Sequence, residues 1–176
     1  MPTSDRDRFE RLYRAHYPAV LRYARRRVAA ETAEMVVAEV FTTAWQKLER
    51  VPNHALPWLL VCARHVIANE RRREQRAQHK SRRARSSFVP AAADHADGIV
   101  ERDALVRAIA KLSARDREVL ALVAWDGLSI SDAARVAGTT RASLAMRLSR
   151  ARRRLGAALD APDATPDLTR PKEHPS

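Results

Sequence analysis

The sequence predicts an all-α protein of two small helical domains joined by a flexible linker, and three observations predict it. Apolar residues recur at three- and four-residue spacing on both sides of residues 76–99. Only four of the 176 residues are glycine, against many Ala, Leu and Arg, a composition that favours helix. Between the two periodic stretches, residues 71–85 hold eight Lys or Arg and one acid, Glu74, with little apolar content to offset the entropy of ordering. A gap of this length is uncommon inside one compact domain. The expected organisation is a first domain over 1–75, a flexible basic linker over 76–99, a second domain over 100–160 and a Pro-rich disordered tail over 161–176.

In the first domain Phe9, Leu12 and Tyr13 share a helix face that His16 extends. Pro18 suits the first turn of a second helix, whose apolar face is Tyr17, Leu21, Ala24 and Val28. A third helix over about 32–48 buries Val37, Phe41, Ala44, Trp45 and Leu48. The stretch ERVPNHALP, residues 49–57, reads as a loop from its two prolines. A fourth helix starts near Trp58, buries Leu59, Cys62, Ala63 and Val66, and runs into the basic stretch. Trp45, Trp58 and Cys62 are expected to be core residues.

The second domain begins near Val100 with Leu105, Ala108, Ile109 and Leu112 on one face. Ser113 with Asp116 resembles a capping box opening a helix through Val119, Leu120 and Val123, which Asp126-Gly127 ends. Ser129 with Asp132 repeats the cap for a short helix to about Val136. Gly138 makes the turn, and Thr140 caps a last helix reaching about Leu159.

Charge indicates the partner. The chain carries 33 Lys and Arg against 21 Asp and Glu, a net charge of +12. Such a balance points to a polyanion, either nucleic acid or an anionic membrane surface, with a merely solubilising basic surface as the plainer alternative. One cysteine, Cys62, excludes an internal disulfide framework and a Cys-rich zinc site. There is no charged-then-apolar leader and no apolar run of bilayer length, so a cytoplasmic protein without membrane insertion is expected. No metal and no cofactor are expected, and the chain is not expected to be an enzyme. His16, His54, His65 and Cys62 match no ligand or catalytic spacing, and no Gly-rich phosphate loop occurs.

The last helix concentrates the argument. At about 100° per residue, Leu144, Leu148, Ala151 and Leu155 form one stripe, the core side. Arg141 and Arg152 flank it on one side, Arg147 and Arg154 on the other. The outward ridge carries Ala142, Met146, Ser149 and Arg153, with Ala145 and Arg150 on its shoulders. A major groove admits one helix between two rows of phosphates. The arginine rows suit those phosphates, and the ridge suits base edges, with Arg150 able to fork onto a guanine. Thr139, Thr140 and the free amides of the helix start offer a further phosphate seat. An ordinary helical hairpin with a solvated basic face is the alternative. The coincidence of stripe, turn, caps and flanking rows favours a helix-turn-helix that binds DNA.

The stretch AIAKLSARDREVLALVAWDGLSISDAARVAGTTRASLAMRLSRARRRL resembles the fourth region of sigma factors of the extracytoplasmic-function (ECF) group. AETAEMVVAEVFTTAWQKL resembles the helix of the second region that docks on the polymerase clamp. PWLLVCARHVIANERRR resembles the helix that lies along the minus-ten promoter element. The resemblance covers about residues 8–73 and 100–158, and the middle region of primary sigma factors is missing. It implies an RNA polymerase sigma factor that binds core polymerase at clamp and flap, recognises promoter DNA at the minus-ten and minus-thirty-five elements and helps open it. It also implies an anti-sigma partner. The recognition-helix residues above then read the minus-thirty-five element. Asn53 and His54 of the 50–57 loop, His65 and Asn69 one turn apart, and the backbone-holding Arg64, Arg71, Arg72 and Arg73 serve the minus-ten element. Glu34, Met35, Ala38, Glu39 and Thr42 face polymerase. The chain departs from the family pattern at His65 (usually Asn), at Asn69 (usually Asp), at Met35 and Ala38 (commonly polar), and at Ala145-Met146 (often a basic residue then Ser). A stand-alone helix-turn-helix regulator is the rival reading. It lacks support from the N-terminal half, which shows neither a receiver domain nor a phosphoacceptor strand.

Overall fold

Seven α-helices carry the chain in a computed structural model that describes residues 4–80 and 99–160. Helix α1 spans Asp5–Arg25. Ser4 caps it, accepting from the Asp7 amide at 3.2 Å, and Asp5 and Asp7 sit in the first turn, where the helix dipole favours negative charge. The break expected at Pro18 does not occur, and α1 runs through it. Pro18 faces outward. The amide it lacks therefore costs a hydrogen bond only on the wet face, while Tyr17, Val20, Leu21, Tyr23 and Ala24 keep the inner face packed.

Helix α2, Ala30–Gln46, buries Ala33, Val36, Val37, Val40, Phe41 and Ala44. A short 3₁₀ turn over Leu48–Arg50 leads to α3, Ala55–Lys80, which buries Leu59, Leu60, Ala63, Val66 and Ile67. Three expected core residues sit differently. Trp45 is 49% exposed, touching Phe9 edge-on at 5.1 Å, and Trp58 and Cys62 are only half-buried against the core. The α2 stripe is already filled by the valines, Phe41 and Ala44, so the larger indole is left at its rim. Helix α3 also continues to Lys80, into the stretch read as linker, because Glu, Arg, Gln and Ala are strong helix formers. The remainder of that linker and the 161–176 tail lie outside the described residues.

The second half holds α4 (Ile99–Ala110), α5 (Ala114–Leu120), α6 (Ile130–Ala137) and α7 (Arg141–Asp160). The expected caps form: the Asp116 amide donates to Ser113 Oγ at 3.1 Å, and the Asp132 amide to Ser129 Oγ at 3.1 Å. Ala108, Ile109 and Leu112 are buried as expected, whereas Leu105 is 38% exposed. After α5 the chain widens into one π-type turn, Ala121–Trp125, before Gly127. Gly138 closes α6 with φ +68°, a left-handed conformation that side chains strain to adopt.

The two halves meet. Helix α3 packs on α6, and one continuous apolar cluster runs from Val20 and Leu60 to Leu122, Val136 and Leu144. Beside it, charges are buried. Arg26 pairs with Asp126, whose side chain is 3% exposed. Arg27 forks onto Glu118 at 2.9–3.2 Å, reaches Asp126 at 3.4 Å and lies 3.5 Å over the Tyr23 ring. Burial, then the neighbouring Arg27 and Arg22 charges, pushes the Arg26 guanidinium down to about 10. Burial pushes the Tyr23 hydroxyl up to about 12.

A Cβ on Gly138 would meet Arg64 Nη1 of the other half at 2.7 Å, whereas one on Gly127 (φ +66°) would meet nothing within 4 Å. Each Gly→Ala change should cost about 1–2 kcal/mol for the left-handed backbone. The two should cost nearly the same in urea unfolding, because the group met at Gly138 is the tip of an exposed arginine that can swing aside; a markedly larger cost for Gly138→Ala would mean that Arg64 is held against the turn.

Candidate nucleic-acid interface

Helix α7 is built as its stripe requires. Leu144, Leu148 and Ala151 are buried and Leu155 is half-buried against α5 and α6. Thr140 caps it, its Oγ1 accepting from the Ser143 amide at 3.1 Å. Thr139, Thr140, Arg141, Ala142, Met146, Ser149, Arg150 and Arg153 are exposed, Met146 at 60%. Ala145 and Arg147 are half-buried. Arg154, read as a phosphate contact, instead binds Asp116 at 2.5 Å. Burial raises the Asp116 carboxyl, but hydrogen bonds from Ser113 and Arg154 and the charges of Arg154 and Arg147 outweigh it, holding it below the usual carboxylate range.

On α3, Arg64, His65, Asn69, Arg71, Arg72 and Arg73 are all exposed, with His65 and Asn69 on one face. Some polar capacity is already engaged. Arg72 donates to Asn69 Oδ1 at 2.5 Å, Arg71 to the Arg27 carbonyl at 3.0 Å, and Arg73 pairs with Glu70 at 3.6 Å. Asn53 and His54 lie exposed just before α3, and His54 Nε2 sits 3.1 Å from Asp132 Oδ2 on α6. Burial raises the Asp132 carboxyl, yet hydrogen bonds from Ser129 and His54, with the charges of His54 and Arg135, bring it below its ordinary value.

Two cavities adjoin these residues. One of about 240 Å³ lies between α1 and the loop, lined by Arg8, Arg11, Leu12, His16, Asn53 and others. Burial, then the nearby His54, lowers the His16 imidazole, so it is neutral at physiological pH. The second cavity, about 840 Å³, lies between the halves. It brings Arg64, Arg71 and Arg72 of α3 together with Thr139 of the turn and Arg147 of α7. The sequence assigned those two groups to separate surfaces. Arg8, Arg11, Arg27, Arg115 and Arg117 also line the cavities, and the sequence marked them only as charge.

A second exposed strip lies on α2, where Glu34, Met35, Ala38, Glu39 and Thr42 all face solvent. Glu34 accepts from Tyr17 at 3.0 Å and Arg25 at 2.9 Å, and the Thr42 hydroxyl donates to the Ala38 carbonyl at 2.8 Å. Met35 at 43%, Trp45 at 49% and Tyr13 at 39% exposure make this a partly apolar surface in a basic chain.

Among the described residues no cluster of His, Cys, Asp and Glu has the grouping of a metal site, and no helix is long and apolar enough to cross a membrane. Burial pushes the Cys62 thiol up, away from the reactive thiolate.

Comparison with known proteins follows the same division. Residues 12–77 match the family described as sigma-70 region 2, and residues 102–155 match sigma-70 region 4. The ECF RNA polymerase sigma factor SigC of Mycobacterium tuberculosis is 33% identical over 138 residues, covering 77% of this chain and 72% of that protein. SigL of the same organism, also an ECF RNA polymerase sigma factor, is 32% identical over 150 residues, covering 82% of this chain and 84% of that one. The sigma factor RpoE of Bartonella quintana, solved bound to the anti-sigma factor NepR, superposes with a TM-score of 0.70 at 25% identity, over 88% of this chain and 98% of that one.

Two substitutions separate the roles proposed along α7. Arg150→Ala should weaken binding to an upstream-element duplex by about 1–3 kcal/mol and relax sequence choice at one position. Arg147→Ala should weaken binding to all duplexes alike. A binding-site selection in which Arg147→Ala shifts the preferred sequence and Arg150→Ala does not would reverse the assignment.

Proposed function

Since the chain belongs to the sigma-70 family, as an ECF sigma factor built from regions 2 and 4, we propose how its two halves share the work of promoter-specific initiation. The ordered pair of regions carries this reading: region 2 supplies core docking and the minus-ten contact, region 4 the minus-thirty-five contact. A stand-alone regulator is not favoured, because such a protein has no need of region 2.

Region 4 enters the major groove of the upstream element with the exposed ridge of α7. Arg150 and Arg153 face base edges and Arg141 and Arg147 face phosphates, while Thr139 and Thr140 receive a phosphate at the helix start. Region 2 holds the minus-ten strand along α3 with Arg64, Arg71, Arg72 and Arg73, and reads it with His65, Asn69, Asn53 and His54. A base swung out of the stack costs a few kcal/mol, which a fitted seat must offset. The 240 Å³ cavity beside Asn53, with arginines at its wall, is large enough for one. The strip Glu34, Met35, Ala38, Glu39 and Thr42 docks on the polymerase clamp, its acids meeting basic groups and Met35 supplying apolar contact. Region 4 meets the flap. The work is binding, with no bond made or broken by this chain, and it takes place in the cytoplasm, where polymerase and promoter lie.

Distance sets a condition. The two elements are about 25 base pairs apart, roughly 85 Å at ~3.4 Å per pair. In the closed arrangement Arg64 touches the turn before α7. The two DNA surfaces cannot then reach both elements, so promoter engagement requires the halves to separate. The likeness to a sigma factor captured with its inhibitor spans both halves at once. That supports an anti-sigma protein as a partner of this chain, one that holds the closed arrangement.

Run-off transcription with sigma-free core polymerase tests the function: added chain should confer initiation at defined starts, and failure at every promoter would refute it. Glu39→Arg should reduce capture of core polymerase at least about ten-fold while leaving binding to an upstream-element duplex unchanged. Full capture by that variant would remove α2 from the docking surface.

A further inference from the structure

The 840 Å³ cavity between the halves is a chemical environment of its own. Its lining includes seven arginines, Arg27, Arg64, Arg71, Arg72, Arg115, Arg117 and Arg147, against one carboxylate, Glu118. Glu118 is already engaged by Arg27. Among the described residues Arg64, Arg115 and Arg147 form no ion pair and no side-chain hydrogen bond. They come from both halves, so closure creates this concentration of charge. Gathering Arg64, Arg115 and Arg147 beside further guanidinium groups around one space is unfavourable, and an anion held there would reduce the repulsion.

The remainder of the wall narrows the class of anion. Ile67, Ala68, Val119, Ala137 and Leu144 form an apolar side. The volume lies within the range of small-molecule sites and is larger than a single phosphate requires. A polyphosphate offers several oxygens to several guanidinium forks at once, where a lone carboxylate offers two oxygens to one. We propose that this cavity binds a small polyphosphate compound, with the phosphates on Arg64, Arg115 and Arg147 and any attached nucleoside on the apolar wall. Bound there, the compound bridges region 2 and region 4 and masks Arg64, Arg71, Arg72 and Arg147, groups that DNA phosphates would otherwise occupy. It thereby favours the closed form and opposes promoter binding. This goes beyond the initiation function, and its test requires neither promoter nor polymerase.

Calorimetric titration of the full chain with inorganic tripolyphosphate and, separately, with ATP, both without metal and in moderate salt, reads the site. One compound per chain is expected. Arg64→Gln and Arg147→Gln, one from each half, should each weaken binding by at least about ten-fold. Arg152→Gln, an exposed α7 arginine outside the cavity, should leave it unchanged. Tighter binding of ATP would place a nucleoside on the apolar wall, and equal binding would assign the site to the phosphates alone. Three results would overturn the proposal: several anions per chain, equal weakening by Arg152→Gln, or equal affinity for a hexaglutamate peptide, which would mark a surface reading charge without regard to phosphate.

Discussion

Two arginines at the end of α1 and two carboxylates of the other half decide how this molecule is put together. Arg26 and Arg27 enter a water-poor junction with Glu118 and Asp126. Taking such charges out of water costs several kcal/mol per ion after relaxation, so the cluster is a poor source of net stability. Its strength is selective. Any shift that parts the pairs while they remain buried leaves uncompensated charge, whereas full separation returns Arg26, Arg27 and Asp126 to water, which Glu118 already partly faces. The junction is therefore firm against sliding and comparatively easy to open. Arg26 shows the tension most clearly: among the described residues its buried Nε has no hydrogen-bond partner, and burial depresses its pKa.

That balance fits the proposal that the two halves part when the promoter is engaged. The apolar contact of α3 with α6 favours closure. The like charges gathered around the large cavity oppose it. Salt, anions and an inhibitor act on the second term, while polymerase and promoter offer each half a better partner. No new chemistry is needed to switch the molecule, only a change in what the arginines face. Their excess over lysine suits this double use, because a guanidinium serves equally as a buried fork onto a carboxylate and as a fork onto phosphate.

Much of this was legible in the sequence wherever the signal was local. Ser113 and Ser129 cap because a hydroxyl accepts from the amide three residues on, and Gly138 turns because only glycine takes its φ without strain. Leu144, Leu148 and Ala151 face inward because helical spacing leaves no other choice. Local rules failed where tertiary contact decided. Pro18 read as a helix start but sits inside α1, since its missing amide faces water. Trp45 read as core but lies at the rim, since smaller residues had filled the stripe. Arg154 read as a phosphate contact but holds Asp116. The junction was invisible for a different reason. Arg26 meets Asp126 across 100 residues, and a basic residue in a basic chain carries no mark of its partner. The exposure of the α7 ridge was legible; that Arg147 on its flank shares a cavity with the α3 arginines was not.

The apolar contact of α3 with α6 draws the halves together, the charge cluster beside it fixes their register, and initiation is proposed to separate them. Spin labels on exposed Glu49 and Ala157, in a Cys62→Ser background, measure this directly by dipolar spectroscopy. The account predicts a single narrow distance in the free chain, a broadened distribution in Arg27→Glu, and a shift tens of ångströms longer in the complex with core polymerase and promoter. The same distance in the free chain and the initiation complex would contradict it.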